Sequence, residues 1–186
     1  MGVEVEKKYR ATGGQSARLR RRLAEVGAER RGEEFEENTL YTGPNLERGG
    51  RVLRLRRAGS RATLTFKERM PSESAVKHHR EDETRVEDPQ ALASILEALG
   101  YRPALVYEKR RETWLLAGVE VVLDELPFGL FVEIEGDEDS IQKAERLLEL
   151  ADAEPEHATY PQLALRYGAK NGDLTEARFP SNVEPS

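Results

Sequence analysis

Charged side chains of one sign recur at every second position in several short stretches of this sequence. The carboxylate pairs are Glu4/Glu6, Glu81/Glu83 and Glu133/Glu135, and the cation pairs are Arg54/Arg56 and Lys109/Arg111. Like charges this close cost stability unless a counter-ion or ligand neutralises them. Carboxylates in close array suit a hard divalent cation, and clustered Arg and Lys suit phosphate oxygens. The pattern therefore indicates a site for phosphate and a metal ion.

The elements that must position these pairs are β-strands. Apolar residues alternate with the charges, as Leu53 and Leu55 do with Arg54 and Arg56, which is the period of a strand with two unlike faces. One interpretation is a one-sided sheet that has helices on its apolar face and solvated charges opposite. The other is a closed barrel with the charges inside, where cations and carboxylates would line one cavity.

About eight strands and three or four helices are predicted, joined mostly by hairpins, which indicates an antiparallel α+β domain. The predicted strands are 3–10, 38–41, 51–57, 61–69, 79–87, 105–116, 119–126 and 130–136, and the predicted helices are 15–27, 88–100, 139–152 and 161–167. Residues 30–37 are predicted to form a solvated loop or a strand start. In the second helix Leu92, Ile95, Leu96 and Leu99 are predicted to face inward. We predict one domain, 1–169, and a disordered tail, 170–186.

Composition excludes several classes of protein. The chain has 186 residues, no cysteine and a net charge of −6, so thiolate chemistry and Cys-ligated zinc are excluded and a general nucleic-acid coat is disfavoured. No apolar run is long enough to span a membrane, and no signal peptide is visible at the N-terminus. A cytoplasmic location is the resulting expectation.

Taken in order along the chain, these stretches resemble the CYTH domain family, also called triphosphate tunnel metalloenzymes. The carriers are Glu4-Val5-Glu6-Lys7-Lys8 (the ExExK motif), Leu53-Arg54-Leu55-Arg56, Leu64-Thr65-Phe66-Lys67, Glu81 with Glu83, Lys109-Arg110-Arg111, Leu123-Asp124-Glu125 and Gly129–Glu135. The resemblance runs from about residue 3 to 167. The stretch 128–135 and Tyr160-Pro161-Gln162-Leu163 are most similar to the class IV adenylyl cyclase branch.

This resemblance implies a closed eight-stranded antiparallel barrel with helices packed outside and a charged interior that binds triphosphate. It assigns phosphate binding to Lys8, Arg54, Arg56, Lys67, Lys109 and Arg111, with Arg85 as a weaker match. It assigns Mg²⁺ or Mn²⁺ binding to Glu4, Glu6, Asp124, Glu133 and Glu135, with Glu81 and Glu83 for a second ion or for orienting water. Glu6 and Lys8 are the implied catalytic residues.

Three functions stay open on the sequence. The first is a metal-dependent phosphohydrolase acting on inorganic triphosphate, thiamine triphosphate or a nucleoside triphosphate. The second is a class IV adenylyl cyclase, which needs the same phosphate machinery but a different nucleophile. The third is a non-catalytic module that binds polyphosphate or the triphosphate end of RNA. The expected partner is a small triphosphate, with no membrane, and the sequence leaves a homodimer open.

Overall fold

The computed structural model describes residues 5–46, 50–69, 79–150 and 153–180. Its strands are β1 (Val5–Ala11), β2 (Glu29–Thr42), β3 (Arg51–Ala58), β4 (Arg61–Arg69), β5 (His79–Arg85), β6 (Arg102–Leu116), β7 (Val119–Leu126), β8 (Gly129–Gly136), β9 (Ala169–Asn171) and β10 (Leu174–Ala177). Its helices are α1 (Gly13–Glu25), α2 (Pro89–Ala98), α3 (Glu138–Leu147) and α4 (Tyr160–Tyr167). None of the helices in these ranges is long and apolar enough to cross a membrane.

The fold is α+β, as predicted, but the sheet is not closed. The hydrogen-bonded strand order is β1-β8-β7-β6-β2-β3-β4-β5. Within the described ranges β1 and β5 are therefore the two ends of this order and do not pair with each other. The expectation of a closed eight-stranded barrel was wrong in this respect, because alternation shows which residues share a face but not whether the terminal strands meet.

The chain divides into two compact units, 1–35 with 109–160 and 179–186, and 36–108 with 161–178. In the first unit β1, β8 and β7 are antiparallel neighbours. One face of these strands packs with α1 and α3 around a core that includes Leu23, Val121, Ile134 and Ile141, each at most 1% exposed. Thr12 begins α1 with a capping box to Gln15, which satisfies two orphan backbone donors.

In the second unit β3, β4 and β5 form an antiparallel meander. Leu53, Leu55 and Ala62 pack with Leu96 of α2 in a separate apolar core. Asp88 caps α2 and Pro89 occupies its first turn, as predicted. The helix nevertheless buries less than predicted, since Ile95 and Leu99 are 55% and 62% exposed.

Residues 30–37, predicted as a solvated loop or a strand start, are part of the 14-residue strand β2. The alternation in this charge run leads to burial, because Glu36 is only 1% exposed and Asn38 is fully buried. The sequence did not decide between loop and strand because a buried glutamate with a cationic partner has the same letter as a solvated one.

The predicted disordered tail is ordered over most of its described length. β9 and β10 form a hairpin, and β10 continues the sheet by pairing parallel to β6 at Leu105–Tyr107. Arg178 donates to Glu37, Glu108 and Glu176. Thr175 and Ala177 are buried. Residues 169–178 are therefore part of the second unit.

Gly168, which joins α4 to this hairpin, tests how tightly the hairpin is docked. A Cβ there would lie 2.6 Å from the Ala164 carbonyl oxygen and 2.9 Å from that of Glu176, and backbone atoms on both sides cannot yield cheaply. We expect Gly168→Ala to lower the free energy of unfolding by about 1–3 kcal/mol, as measured by urea denaturation. Gly14→Ala is the matched control, because its Cβ meets nothing within 4 Å and helix propensity favours Ala. Equal stability of the two variants would contradict the docked hairpin.

Candidate functional site

The described candidate residues fall into two groups, one in each unit. In the first unit the strand register places Lys8 opposite Glu133 across β1 and β8, and Asp124 opposite Arg111 across β7 and β6. All four side chains lie on the sheet face opposite the helix-covered core, because their neighbours along each strand, such as Tyr9 and Val132, belong to that core. Alternation thus sorts these charges as predicted.

Asp124 is the centre of the first group. Its carboxylate is 1% exposed and accepts two hydrogen bonds from the Arg111 guanidinium, at 2.8 and 2.6 Å. It also accepts a hydrogen bond of 2.8 Å from the Tyr160 hydroxyl and lies 3.7 Å from the Lys109 ammonium. Burial alone would raise the pKa of Asp124, but the bonds from Arg111 and the charge of Lys109 bring it below its ordinary value. Asp124 is therefore held as an anion.

Glu133 lies beside this cluster, and its pKa is shifted in the opposite direction to that of Asp124. Its carboxylate is 3.3 Å from the Lys8 ammonium and 2.7 Å from the Arg111 guanidinium. Burial and the neighbouring charge of Asp124 nevertheless raise the pKa of Glu133, and Glu6 adds to the rise. The two buried carboxylates share one guanidinium, so a further cation or a proton would relieve their repulsion.

A row of three glutamates crosses the edge of the same face. Glu6 of β1 is in register with Glu135 of β8, and Glu135 is in register with Glu120 of β7. Glu6 is exposed and the other two are half-buried. Like charges directly opposite one another destabilise a sheet, so this row favours a bound cation. Sequence reasoning missed Glu120, although its alternation with Val119 and Val121 was a usable signal.

Tyr160, the first residue of α4, touches three members of the first group. Besides its bond to Asp124, its ring lies under the Lys8 ammonium at 4.3 Å and near the Lys109 ammonium at 5.5 Å from the ring centroid. Burial and the two neighbouring carboxylates raise its pKa well above the ordinary value for tyrosine. The hydroxyl therefore stays protonated and donates. The sequence pointed to Tyr160 only as part of a family motif.

In the second unit Arg54 is the most constrained cation. Its Nη2 donates to the Thr65 hydroxyl at 3.4 Å, and that hydroxyl donates to Glu83 at 3.0 Å. Its Nε is buried and has no hydrogen-bond partner. Burial lowers the pKa of Arg54, and the charge of Arg56 lowers it further. A buried charged donor without an acceptor is costly, so this arrangement favours the binding of an anion.

Arg56, two residues along β3, is partly neutralised from β2. Its Nε lies 3.4 Å from the Glu36 carboxylate and donates to the Asn38 amide oxygen at 3.2 Å. The Asn38 amide in turn donates to Glu36 at 3.3 Å. Glu36 and Asn38 thus orient Arg56. Sequence reasoning named neither as a site residue, although Asn38 lies in a predicted strand.

The remaining candidates of the second unit lie further along the same strands. Lys67 pairs with Glu81 at 3.0 Å, with both side chains about 40% exposed. Arg85 lies one strand beyond Arg56 in the same cross-strand row, through Thr63. Lys67, Glu81 and Arg85 are therefore more solvated than Arg54, and Glu4 lies outside the described residues.

The predicted carboxylates do not gather into a single metal cage. Among the residues that the structure describes, no three acidic or histidine side chains converge closely enough to hold a metal ion. The donor set still fits a hard cation, because it consists only of oxygen and its crowded members, Glu6 and Glu133, repel. Mg²⁺ is typically held by one or two carboxylates together with substrate phosphates and water.

Comparison with known proteins identifies one family. The model of the CYTH domain family matches residues 2–160 of the chain. A search among curated proteins found no match.

Several solved structures share the fold. The PH1012 protein of Pyrococcus horikoshii is 24% identical, with a TM-score of 0.71 over 87% of this chain and 99% of its own. A Vibrio parahaemolyticus protein provisionally called an adenylate cyclase is 25% identical, with a TM-score of 0.64 over 84% of this chain and 94% of its own. The Hippeastrum protein HpAC1, provisionally called an adenylyl cyclase and found to have a dominant triphosphatase activity, is 18% identical, with a TM-score of 0.64 over 88% and 94%.

The opposite pKa shifts of Glu133 and Asp124 predict opposite pH dependences of stability. Above the ordinary glutamate pKa of 4.5, folded Glu133 retains a proton that the unfolded chain has lost, so its contribution to stability falls as pH rises through its folded pKa. We expect the unfolding free energy of wild type to fall relative to that of Glu133→Gln between pH 4 and 8.

Asp124→Asn supplies the control of opposite sign. Asp124 stabilises the fold above its ordinary pKa of 3.8, and this contribution is lost as pH falls through its lower folded pKa. Urea denaturation of wild type and both variants across this pH range measures the two differences. If the unfolding free energies of wild type and Glu133→Gln changed in parallel with pH, the raised pKa of Glu133 would be contradicted.

Proposed function

Because the chain belongs to the CYTH domain family, we propose that it is a divalent-metal-dependent phosphohydrolase that releases orthophosphate from a small triphosphate. In each group the cations are the proposed ligands of phosphate oxygens, and the carboxylates on β1 and β8 are the proposed ligands of the metal. The substrate is inorganic triphosphate, thiamine triphosphate or a nucleoside triphosphate. The observation that carries this proposal is the buried Nε of Arg54, which has no hydrogen-bond partner.

The Nε of Arg54 is buried and lacks an acceptor, and the charge of the neighbouring Arg56 lowers the pKa of Arg54 beyond the effect of burial. A desolvated donor without a partner costs about 1–3 kcal/mol, and more for a charged group. A phosphate oxygen supplies both the missing acceptor and the missing negative charge, and Arg matches phosphate geometry through several N–H groups.

The first group supports the proposal through its buried cations. Lys8 and Lys109 are 7% and 2% exposed, so an anion reaching them meets ammonium groups that are already stripped of bulk water. Asp124 and Glu133 hold Arg111 from one side. Positively charged donors fixed in this way stabilise charge that develops on phosphoryl oxygens during transfer.

The residues that would hold the metal are Glu6, Glu133 and Glu135, with Glu120 in register with Glu135. The family motif adds Glu4. A divalent cation, when bound, neutralises phosphate charge and promotes formation of the attacking nucleophile. The chain itself contributes carboxylates that lie close together and repel one another, and a bound cation relieves this repulsion. The carboxylate of Glu133 is in addition buried away from solvent.

A second candidate is class IV adenylyl cyclase. It is favoured by the similarity of the C-terminal motifs to that branch and by the 25% identity to the Vibrio parahaemolyticus protein. The two reactions differ in the nucleophile, which is water at the terminal phosphorus in hydrolysis and the substrate's own 3′-hydroxyl at the α-phosphorus in cyclisation. The cation and carboxylate groups serve both. The fold also accommodates the triphosphatase activity reported for the Hippeastrum protein.

A product assay distinguishes these activities. Purified protein is offered inorganic triphosphate, thiamine triphosphate and ATP with Mg²⁺ or Mn²⁺, and with excess chelator as the control. We expect orthophosphate without cyclic AMP, and no product in chelator. Cyclic AMP with stoichiometric pyrophosphate would establish the cyclase instead, and binding without either product would leave a non-catalytic triphosphate-binding module.

Removal of Arg54 tests the phosphate assignment directly. We expect Arg54→Ala to raise the dissociation constant for inorganic triphosphate about 10- to 100-fold, since a charged hydrogen bond contributes about 1.5–3 kcal/mol, and to leave the free energy of unfolding equal or higher. Calorimetric titration and urea denaturation measure the two effects. Arg57→Ala is the control, because Arg57 pairs with Glu37 and is on the other side of the strand. Unchanged affinity in Arg54→Ala would overturn the assignment.

A further inference from the structure

We propose that Tyr160 is a positioning residue for triphosphate binding, and that its ring, rather than its hydroxyl, holds the ammonium groups of Lys8 and Lys109 in place. The inference rests on the proposed function. It assigns a role to a residue that carries no charge at neutral pH and that binds no phosphate itself.

The ring of Tyr160 is a fixed surface. Its residue is 7% exposed, and its edge packs against Phe131 at 5.4 Å between centroids with the planes 75° apart. The hydroxyl is fixed at the far end by its bond to Asp124. The ring can therefore neither tilt away nor move into solvent.

A short segment anchored on β1 delivers Tyr160 to this place. The Glu156 amide donates to the Lys8 carbonyl at 2.7 Å, and Pro155 bridges to Tyr9. The Ala158 carbonyl accepts a hydrogen bond from the Lys8 ammonium at 3.2 Å. The segment that ends at Tyr160 is thus fixed to the same residue whose ammonium the ring contacts.

Lysine needs such a device more than arginine does. Its ammonium is a point charge on a flexible stem. The carboxylates of Glu133 and Asp124 lie 3.3 Å from the Lys8 ammonium and 3.7 Å from the Lys109 ammonium. A carboxylate draws an ammonium toward itself and away from an incoming anion. An aromatic face attracts the ammonium without supplying a competing negative charge.

The test compares variants that keep or remove the ring. Tyr160→Phe keeps the ring and loses the hydroxyl, and Tyr160→Leu removes both. With inorganic triphosphate as the probe, we expect the dissociation constant to rise about tenfold in Tyr160→Leu and less than about threefold in Tyr160→Phe. Tyr167→Leu, at the exposed end of the same helix, should bind like wild type. With a hydrolysed substrate, KM should rise more than kcat falls.

A double-mutant cycle shows whether the ring acts through the lysine. In a Lys8→Met background, removal of the ring should cost less than about threefold in affinity, because the nearer ammonium is already absent. The same tenfold cost in both backgrounds would overturn the inference, and so would a Tyr160→Phe variant as weak as Tyr160→Leu. Tyr160→Met is a second ring-free variant in case Tyr160→Leu does not fold, as judged from its thermal midpoint.

The two proposals fail in different ways. If wild-type protein binds inorganic triphosphate and every Tyr160 variant binds it equally well, the positioning role is wrong and the proposed function stands. If wild-type protein does not bind inorganic triphosphate, the proposed function is wrong and the positioning role is wrong with it.

Discussion

The buried carboxylate of Asp124 organises the first unit's charged face. It accepts hydrogen bonds from Arg111 on β6 and Tyr160 on α4, and it attracts Lys109. A buried ion pair is weak evidence for stability, because desolvation of the partners offsets their attraction. Its effect here is geometric: one anion fixes the positions of three donors from two elements. The neighbouring Glu133 then has to share Arg111 with it.

Each unit consequently contains like charges that repel one another. Glu133 repels Asp124 in the first unit, while Arg54 and Arg56 repel each other in the second. A protein could remove these costs by substituting neutral residues, as the well-packed apolar face of the same strands illustrates. The costs make sense if ligands remove them, since groups already desolvated and oriented need little reorganisation when an anion and a cation arrive.

Strand alternation was sufficient to predict which of these residues share a face. Lys8, Asp124 and Glu133 lie together because period two fixes the side of each side chain. Alternation could not supply the cross-strand register, which brings Glu120 beside Glu135, or the closure of the sheet. It also failed where a polar residue is buried, since nothing in the letters of residues 36–38 distinguishes buried partners of Arg56 from solvated charges. The sheet strands at 169–177 are short and polar, and their placement depends on contacts with β6 that local pattern does not encode.

Charged and uncharged side chains recognise different parts of a substrate, and this difference affects which substrate is chosen. A triphosphate chain is common to inorganic triphosphate, thiamine triphosphate and ATP, so cations that bind its oxygens recognise all three. Discrimination requires contacts to whatever the triphosphate is attached to, and such contacts depend on apolar and aromatic surface or on neutral hydrogen-bonding groups. The charged residues, which sequence pattern identifies most readily, therefore specify the class of substrate. The choice between water and a ribose hydroxyl as nucleophile depends instead on how the rest of the substrate is held, because both reactions use the same bound phosphates.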